Sequence, residues 1–176
     1  MNSKEWWDSV KSNPDKLNNW LLRQYRGEVT AGDRIRKLAT DNITTLPEKD
    51  YIDLYRISVE EKRHAKWVGW LLFTRGIDPV VKDAEARYWS KTLPVAAKSS
   101  KHAYAVGAHA EAMRLERIKV IAEDESSPPD IRIVFSNILR DEIGHEETFR
   151  RLAGPEMMQE VLPSHQEGLA LLGLTP

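Results

Sequence analysis

Apolar residues recur every three or four positions along most of this chain, which is the spacing of one face of an α-helix. In the first long segment, Leu21, Tyr25, Gly32 and Ile35 follow this spacing. Four long segments carry the pattern, and prolines or glycines lie at or near their boundaries. The predicted helices span about residues 17–39, 47–74, 101–123 and 129–152. No segment alternates at period two for long enough to predict a sheet, so we expect an all-α protein.

Three segments lie outside these four predicted helices. Residues 1–16 are predicted to form a polar N-terminal arm. Residues 77–98 are predicted to be a long crossover between helices two and three, around an amphipathic piece at residues 82–89. Residues 156–176 form a C-terminal tail, in which residues 156–162 have the pattern of one short helix. The chain is thus predicted to hold one helical domain, residues 17–155, with an arm before it and a tail after it.

Composition and charge narrow the classes of partner. Lys plus Arg (26) nearly balances Asp plus Glu (27), so we expect no electrostatic attraction to nucleic acid or to an anionic membrane surface. The chain has no cysteine, which excludes disulfides, thiolate zinc sites and iron–sulfur clusters built from its own residues. The first residues form no apolar targeting segment, and no stretch reaches the roughly 20 apolar residues of a membrane span, so we expect a cytoplasmic protein.

Each of the four predicted helices places an acidic residue on its apolar face. An ionised carboxylate on a buried face costs several kcal/mol unless a partner compensates its charge, so bound cations are the simplest explanation. The alternative is that these residues are solvated at the helix edges. The candidate metal ligands are Glu28, Glu61, His64, Glu111, Glu142 and His145.

The spacing of these residues strengthens the metal hypothesis. Glu61 and His64, like Glu142 and His145, are three positions apart, so each pair presents an oxygen and a nitrogen donor on one helical face. A single inward glutamate precedes each pair, by 33 residues in the first half and by 31 in the second. Four carboxylates and two imidazoles form the ligand set of di-iron and di-manganese carboxylate bundles, and four negative charges balance two divalent ions.

This pattern resembles the ferritin-like superfamily, which includes rubrerythrins, bacterioferritins and di-iron carboxylate oxygenases, over about residues 17–152. The resemblance implies an up-down-down-up four-helix bundle in which Glu61 and Glu142 bridge two metal ions. Glu28 and His64 would then complete the coordination of one ion, and Glu111 and His145 that of the other. The chain differs from the best-known subfamilies, because it lacks the cysteines of a rubredoxin domain and has Lys62 where bacterioferritin has a haem-binding methionine.

Three further residues are candidates to support the ligands. Asp141 adjoins Glu142 and is placed to accept a hydrogen bond from a ligand imidazole on a neighbouring helix. Tyr25 and Tyr104 lie within about two turns of an inward glutamate, and either could donate a hydrogen bond, be redox-active or simply pack in the core. Glu116 points away from the apolar face, so Glu111 is preferred as the ligand of its helix.

The leading hypothesis for function is an oxidoreductase in which two iron ions, or two manganese ions, react with dioxygen or peroxide. An oxygenase would also need an external electron donor. One alternative is a protein that oxidises and stores iron in a larger assembly, and another is a metal-free helical interaction module. A homodimer is expected because apolar residues at both ends would otherwise be partly exposed: Trp6, Trp7, Leu169, Leu171, Leu172 and Leu174.

Overall fold

The computed structural model describes residues 2–81 and 86–174, and every regular element within these ranges is an α-helix. This confirms the all-α prediction. The helices of the described ranges are α1 (Ser3–Lys11), α2 (Pro14–Asp41), α3 (Glu48–Phe73), α4 (Ala86–Ala96), α5 (Ser100–Glu123), α6 (Pro129–Ala153) and α7 (Pro155–Leu171). The four predicted long helices correspond to α2, α3, α5 and α6, and their ends agree within three residues.

The ends of the helices follow local rules. At the start of α2, Asn13 accepts a hydrogen bond from the Lys16 backbone N–H (3.0 Å), and Pro14 takes the first helical position. This cap begins the helix three residues before the predicted boundary. Helix α3 ends at Phe73. Shortly after this end, Gly76 adopts a φ of 70°, a conformation that glycine reaches without strain. Gly154 does the same with a φ of 79° between α6 and α7.

The helices belong to two compact units. Unit one contains Met1–Asp83 and Glu116–Asp141, and unit two contains Ala84–Leu115 and Glu142–Pro176. Both α5 and α6 contribute residues to each unit. Within the described ranges, every helix is too short or too polar to cross a lipid bilayer.

In unit one, α2 packs against α3 and α1 packs against α2. Gly32 allows a close approach on α2, because a Cβ added there would lie 3.0 Å from the Lys62 side chain of α3. The Lys62 ammonium reaches back to α2, where it contacts Asp33 (2.6 Å) and donates to the Val29 carbonyl (3.1 Å). These contacts hold together the two helices that carry Glu28, Glu61 and His64.

The N-terminal segment differs from the predicted polar arm. It forms helix α1, which Asn2 caps by accepting from the Glu5 backbone N–H. Trp7 is fully buried in the core of unit one, its ring lies 5.4 Å from that of Trp20, and its indole N–H donates to Ser127 Oγ (2.9 Å). Trp7 is therefore part of the core and not an exposed docking residue. Sequence periodicity missed this because α1 spans only nine residues.

In unit two, α4 packs against α7. Helix α4 lies within residues 77–98, the segment predicted to be a crossover, and residues 82–85 of the predicted amphipathic piece lie outside the described residues. Helix α7 is 17 residues long and continues through Pro163, so the tail is more helical than predicted. Leu169 is buried within the described chain, which weakens one reason for expecting a dimer, whereas Leu171 is exposed.

Two histidines of unit two stack on each other beside a buried tyrosine. The ring centroids of His109 and His165 are 4.6 Å apart, and the Tyr88 hydroxyl lies 2.8 Å from His165 Nδ1. Burial, with a smaller contribution from the charge of His109, lowers the pKa of His165 to about 4. His109 Nε2–H donates a hydrogen bond to the Met158 carbonyl oxygen (3.0 Å), because a carbonyl oxygen can only accept.

We expect replacement of Trp7 by alanine to lower the free energy of unfolding by about 3–5 kcal/mol, because it removes a fully buried indole and leaves a cavity. Chemical denaturation measures this value. The matched control is Trp70→Ala, which removes an indole that is 53% exposed and should change stability by less than about 1 kcal/mol. Equal effects of the two substitutions would contradict the burial of Trp7.

We expect His165 to make the stability of the protein fall as the pH drops from about 6.5 to about 4. In this range the unfolded chain protonates His165 near its ordinary pKa, whereas the folded protein does not until about pH 4, so protons favour the unfolded state. His165→Gln should reduce the loss of unfolding free energy between pH 7 and pH 5, measured by denaturant titration at each pH. An unchanged pH dependence in the variant would contradict this assignment.

Candidate metal centre

All the predicted metal ligands are buried, which decides against the interpretation of solvated residues at helix edges. Glu111 is 5% exposed and the other five are 0% exposed, namely Glu28, Glu61, His64, Glu142 and His145. Glu116, the rejected alternative to Glu111, is exposed. Charged carboxylates at this depth need compensation by cations or by hydrogen-bond donors.

Four of these residues form one compact group of potential ligands. Glu28 of α2, Glu61 and His64 of α3 and Glu142 of α6 each offer one donor atom, and these four atoms lie within 4.8 Å of one another. Bonds from divalent ions to oxygen or nitrogen are about 2.0–2.6 Å long, so donors on opposite sides of one ion lie roughly 4–5 Å apart. The group can therefore hold a metal ion. Glu111 and His145 lie outside it.

The local structure explains why Glu61 and His64 point the same way. They are three residues apart on α3, where the helical twist places i and i+3 on one face. The packing of α2 against α3 brings Glu28 opposite them, with Glu28 Oε2 3.8 Å from His64 Nδ1. The carboxamide of Gln24, one turn before Glu28, donates to Glu28 Oε1 (2.6 Å) and fixes that carboxylate.

Asp141 sets the orientation of the His64 ring. Its Oδ2 lies 2.9 Å from His64 Nε2 and also accepts from the Arg63 guanidinium (2.7 Å). Burial raises the pKa of Asp141, but the hydrogen bonds from His64 and Arg63 outweigh burial and hold the pKa below its usual value. Asp141 is thus an ionised acceptor and His64 donates from Nε2. In the neutral tautomer that carries its proton on Nε2, Nδ1 is the nitrogen whose lone pair can bind a metal ion.

The hydrogen bond between Asp141 and His64, a candidate ligand on another helix, is the one that the sequence predicted for Asp141. The ring of Trp67, one turn after His64, stacks against the imidazole with centroids 5.6 Å apart. This packing restricts rotation of the imidazole further. Sequence reasoning passed over Trp67 and Gln24, although their positions one turn from a predicted ligand on the same helix would have identified both.

Unit two carries a second group of acidic and imidazole side chains. His145 Nδ1 lies 3.3 Å from Glu142 Oε2, again across an i, i+3 pair. The Arg114 guanidinium donates from Nη1 to Glu111 Oε2 (3.3 Å) and from Nη2 to Glu142 Oε1 (3.1 Å). Arg114 was not predicted, yet its position three residues after Glu111 places it on the same face of α5.

The two tyrosines proposed as supporting residues are both in packed surroundings. Tyr104 is buried, and the Tyr25 ring is so close to α3 that a Cβ added at Gly69 would lie 3.2 Å from it. Packing therefore accounts for the position of Tyr25. A hydrogen-bonding or redox role for either residue stays a prediction.

The chemistry of the donors fits iron or manganese. Carboxylate oxygens dominate the group of four and one imidazole nitrogen completes it, a mixture that intermediate divalent ions of the first transition row accept. Complete burial of the four side chains also favours ion binding, since an ion there compensates the carboxylate charges.

Comparison with known proteins gives no relative, since no family description, curated protein or solved structure matches this chain. What is known of the site therefore comes from the geometry of its own residues.

We expect Asp141→Asn to weaken metal binding by roughly 10- to 100-fold, because an amide holds the ring of His64 less firmly and does not enforce the Nε2–H tautomer. Equilibrium dialysis against Mn²⁺ measures the affinity. Asp41→Asn, which removes an exposed pair with Lys37, is the matched control and should bind like the wild type. Equal affinity in all three proteins would show that Asp141 does not support a ligand.

Proposed function

We propose that this protein binds iron or manganese through its buried carboxylates and histidines, and that it acts as an oxidoreductase on dioxygen or peroxide. The observation that supports this proposal is the group of four fully buried donors, Glu28, Glu61, His64 and Glu142, within 4.8 Å of one another. A stability role alone does not favour such a group, since apolar residues of similar volume commonly stabilise a core as well or better.

We further propose that α2, α3, α5 and α6 form a ferritin-like four-helix bundle, with α4 in the crossover. In this arrangement two metal ions are bound when the site is fully loaded, which is the number that matches four carboxylates. Glu61 and Glu142 would contact both ions. Glu28 and His64 would complete the ligands of one ion, and Glu111 and His145 those of the other.

In such a protein, the buried ligands and their hydrogen-bond partners would have separate roles. Burial of the ligands keeps bulk water away from the site, which strengthens every electrostatic interaction within it. Asp141 accepts from Nε2 of His64 and fixes the orientation of its ring, while Gln24 holds Glu28 in place. When bound, iron would supply the electrons that reduce dioxygen or peroxide. An oxygenase reaction would draw further electrons from an external donor.

Metal content after purification without chelators and reconstitution without air tests the first step of this proposal. We expect Glu61→Ala to abolish binding of the full complement of about two ions per chain, since Glu61 belongs to the group of four. Glu60→Ala is the matched control. Its carboxylate pairs with Arg56 (3.0 Å) on the same helix and should be dispensable for metal binding. Inductively coupled plasma mass spectrometry gives the ratio of metal to protein.

Failure of the wild-type protein to bind either iron or manganese would overturn the proposal and favour a metal-free helical module. If iron binds, consumption of dioxygen or peroxide by the iron(II) protein tests the oxidoreductase function directly. Glu61→Ala should then consume neither above the rate of free iron(II). The mass of the loaded protein in solution separates a homodimer from the large assembly that iron storage would require.

A further inference from the structure

Helix α3 exposes large apolar side chains along its outer side. Its inner side carries the candidate ligands Glu61 and His64 together with core residues. On its outer side, five large apolar residues are between 42% and 74% exposed: Ile52, Tyr55, Val59, Trp70 and Phe73. These five residues form the outer stripe of α3, so the helix is apolar on two sides.

The outer stripe is one continuous line on the helix. Successive residues of an α-helix turn by about 100°, so all five members lie within a sector of roughly 60°. Ile52 and Phe73 are 21 positions apart, which makes the stripe roughly 32 Å long. Helix α2 is of similar length and the structure describes all of its residues, yet it exposes no large apolar side chain. An exposed apolar line of this length is typical of a contact surface.

The area of the outer stripe is large enough for a specific interface. A fully exposed aromatic side chain has an area of about 150–250 Å², so the exposed fractions of the five side chains correspond to roughly 500 Å² of apolar surface. Two such stripes in contact would remove roughly 1,000 Å² from water, which is about the lower limit for a specific interface between proteins. Side chains that flank the stripe would add to this area. A second copy of the chain therefore suffices as a partner.

The spacing of residues along the stripe is the same from either end. Lys66 lies in the same sector as the five apolar residues and completes the series. Successive members are three, four, seven, four and three positions apart: Ile52, Tyr55, Val59, Lys66, Trp70 and Phe73. Two α3 helices that run antiparallel therefore place every member of one stripe at the height of a member of the other.

An antiparallel pair gives suitable contacts at each height. When its centre lies between Lys62 and Arg63, three kinds of facing pair form: Ile52 with Phe73, Tyr55 with Trp70 and Val59 with Lys66. Two of them bring an aromatic ring against a large apolar side chain. In a parallel pair each residue would instead face its own copy, so that the two Lys66 ammonium groups would meet. The sequence of α3 thus favours the antiparallel arrangement.

The cations near the centre of the stripe do not oppose this arrangement. Lys62 is paired with Asp33 (2.6 Å) and Arg63 with Asp141 (2.7 Å) inside the chain. Lys66 can pack its methylene groups against the second copy while its ammonium group reaches water. The two Lys66 residues are then roughly 10 Å apart along the helix axes, which is about one Debye length at moderate salt.

We propose that the outer stripe of α3 binds the outer stripe of a second copy of this chain in an antiparallel, twofold-symmetric pair. A twofold axis brings the same surface of both copies together, so it requires a surface that is complementary to itself. This surface differs from the chain ends on which the sequence-based expectation of a homodimer rested, where Trp7 is buried in the core of its own chain. The outer side of α3 would thus hold a second copy, and its inner side the candidate ligands.

The mass of the metal-free protein in solution tests the inference. Sedimentation equilibrium of the full chain, with a chelator present, gives the dissociation constant of the dimer. We expect the chain to be mostly dimeric at about 100 μM, since an interface near the lower size limit is commonly of micromolar affinity. Trp70→Glu should raise the dissociation constant by about 100-fold or more, because it replaces a large aromatic contact by a charge that association removes from water.

Leu171→Glu is the matched control, since Leu171 is an exposed apolar residue of α7 outside the outer stripe. It should associate like the wild type. Circular dichroism checks that each variant folds. If Trp70→Glu does not fold, Trp70→Ala takes its place. It should raise the dissociation constant by about tenfold or more, without a comparable effect on the unfolding free energy of the separated chain.

Two substitutions of Val59 test the antiparallel register. Val59→Lys should raise the dissociation constant by about tenfold or more, because the new ammonium group faces Lys66 of the second copy. Val59→Glu should leave the constant within about threefold of the wild type, because its carboxylate pairs with that lysine. In a parallel pair, both substitutions would bring like charges together and weaken association alike.

A dimer that Trp70→Glu weakens and Leu171→Glu leaves intact supports the inference. A wild-type chain that is monomeric at the same concentration would overturn it and leave the outer stripe to a partner of a different kind. Equal association of the wild type, Trp70→Glu and Leu171→Glu would place the interface elsewhere and overturn it too, as would equal weakening by the two substitutions of Val59. Since the protein is free of metal throughout, none of these results bears on the proposed function.

Discussion

The burial of carboxylates is the constraint on which the rest of this structure depends. Glu28, Glu61 and Glu142 are completely buried, and Glu111 nearly so. Each ionised carboxylate in such a place costs several kcal/mol of hydration, and neighbouring ones repel each other. Only a nearby positive charge or an array of hydrogen-bond donors makes this arrangement stable. The fold therefore places its acidic residues where donors and cations reach them, and a metal ion is one such cation.

The packing of unit one buries the carboxylates of Glu28 and Glu61. Gly32 lets the Lys62 side chain lie close against α2, and the burial of Trp7 extends the apolar core beside the two helices. A packed and dry core keeps the dielectric constant low, which increases the cost of an uncompensated charge and equally increases the attraction for a cation. Asp141 then fixes the orientation of the His64 ring by its contact with Nε2, although Asp141 is not itself one of the four potential ligands.

Two kinds of side chain donate hydrogen bonds to the buried carboxylates of this chain. In unit one, Glu28 accepts a hydrogen bond from the Gln24 carboxamide. In unit two, the guanidinium of Arg114 forms ion pairs with Glu111 and Glu142. Both contacts give hydrogen-bond donors to carboxylates that burial has removed from water.

The sequence by itself determined the helical class, the approximate ends of α2, α3, α5 and α6, and the buried residues Glu28, Glu61, His64, Glu111, Glu142 and His145. It did so because helical periodicity and i, i+3 spacing are local properties that one segment displays without its neighbours. The position of Asp141 next to Glu142 also predicted its hydrogen bond to a candidate ligand imidazole, which is that of His64. Only the tertiary structure showed that Trp7 belongs to the core, that α7 continues through Pro163, and that Arg114 joins Glu111 to Glu142. These features depend on contacts between residues distant in sequence, or on packing that overrides a local helix breaker. Periodicity carries no information about either.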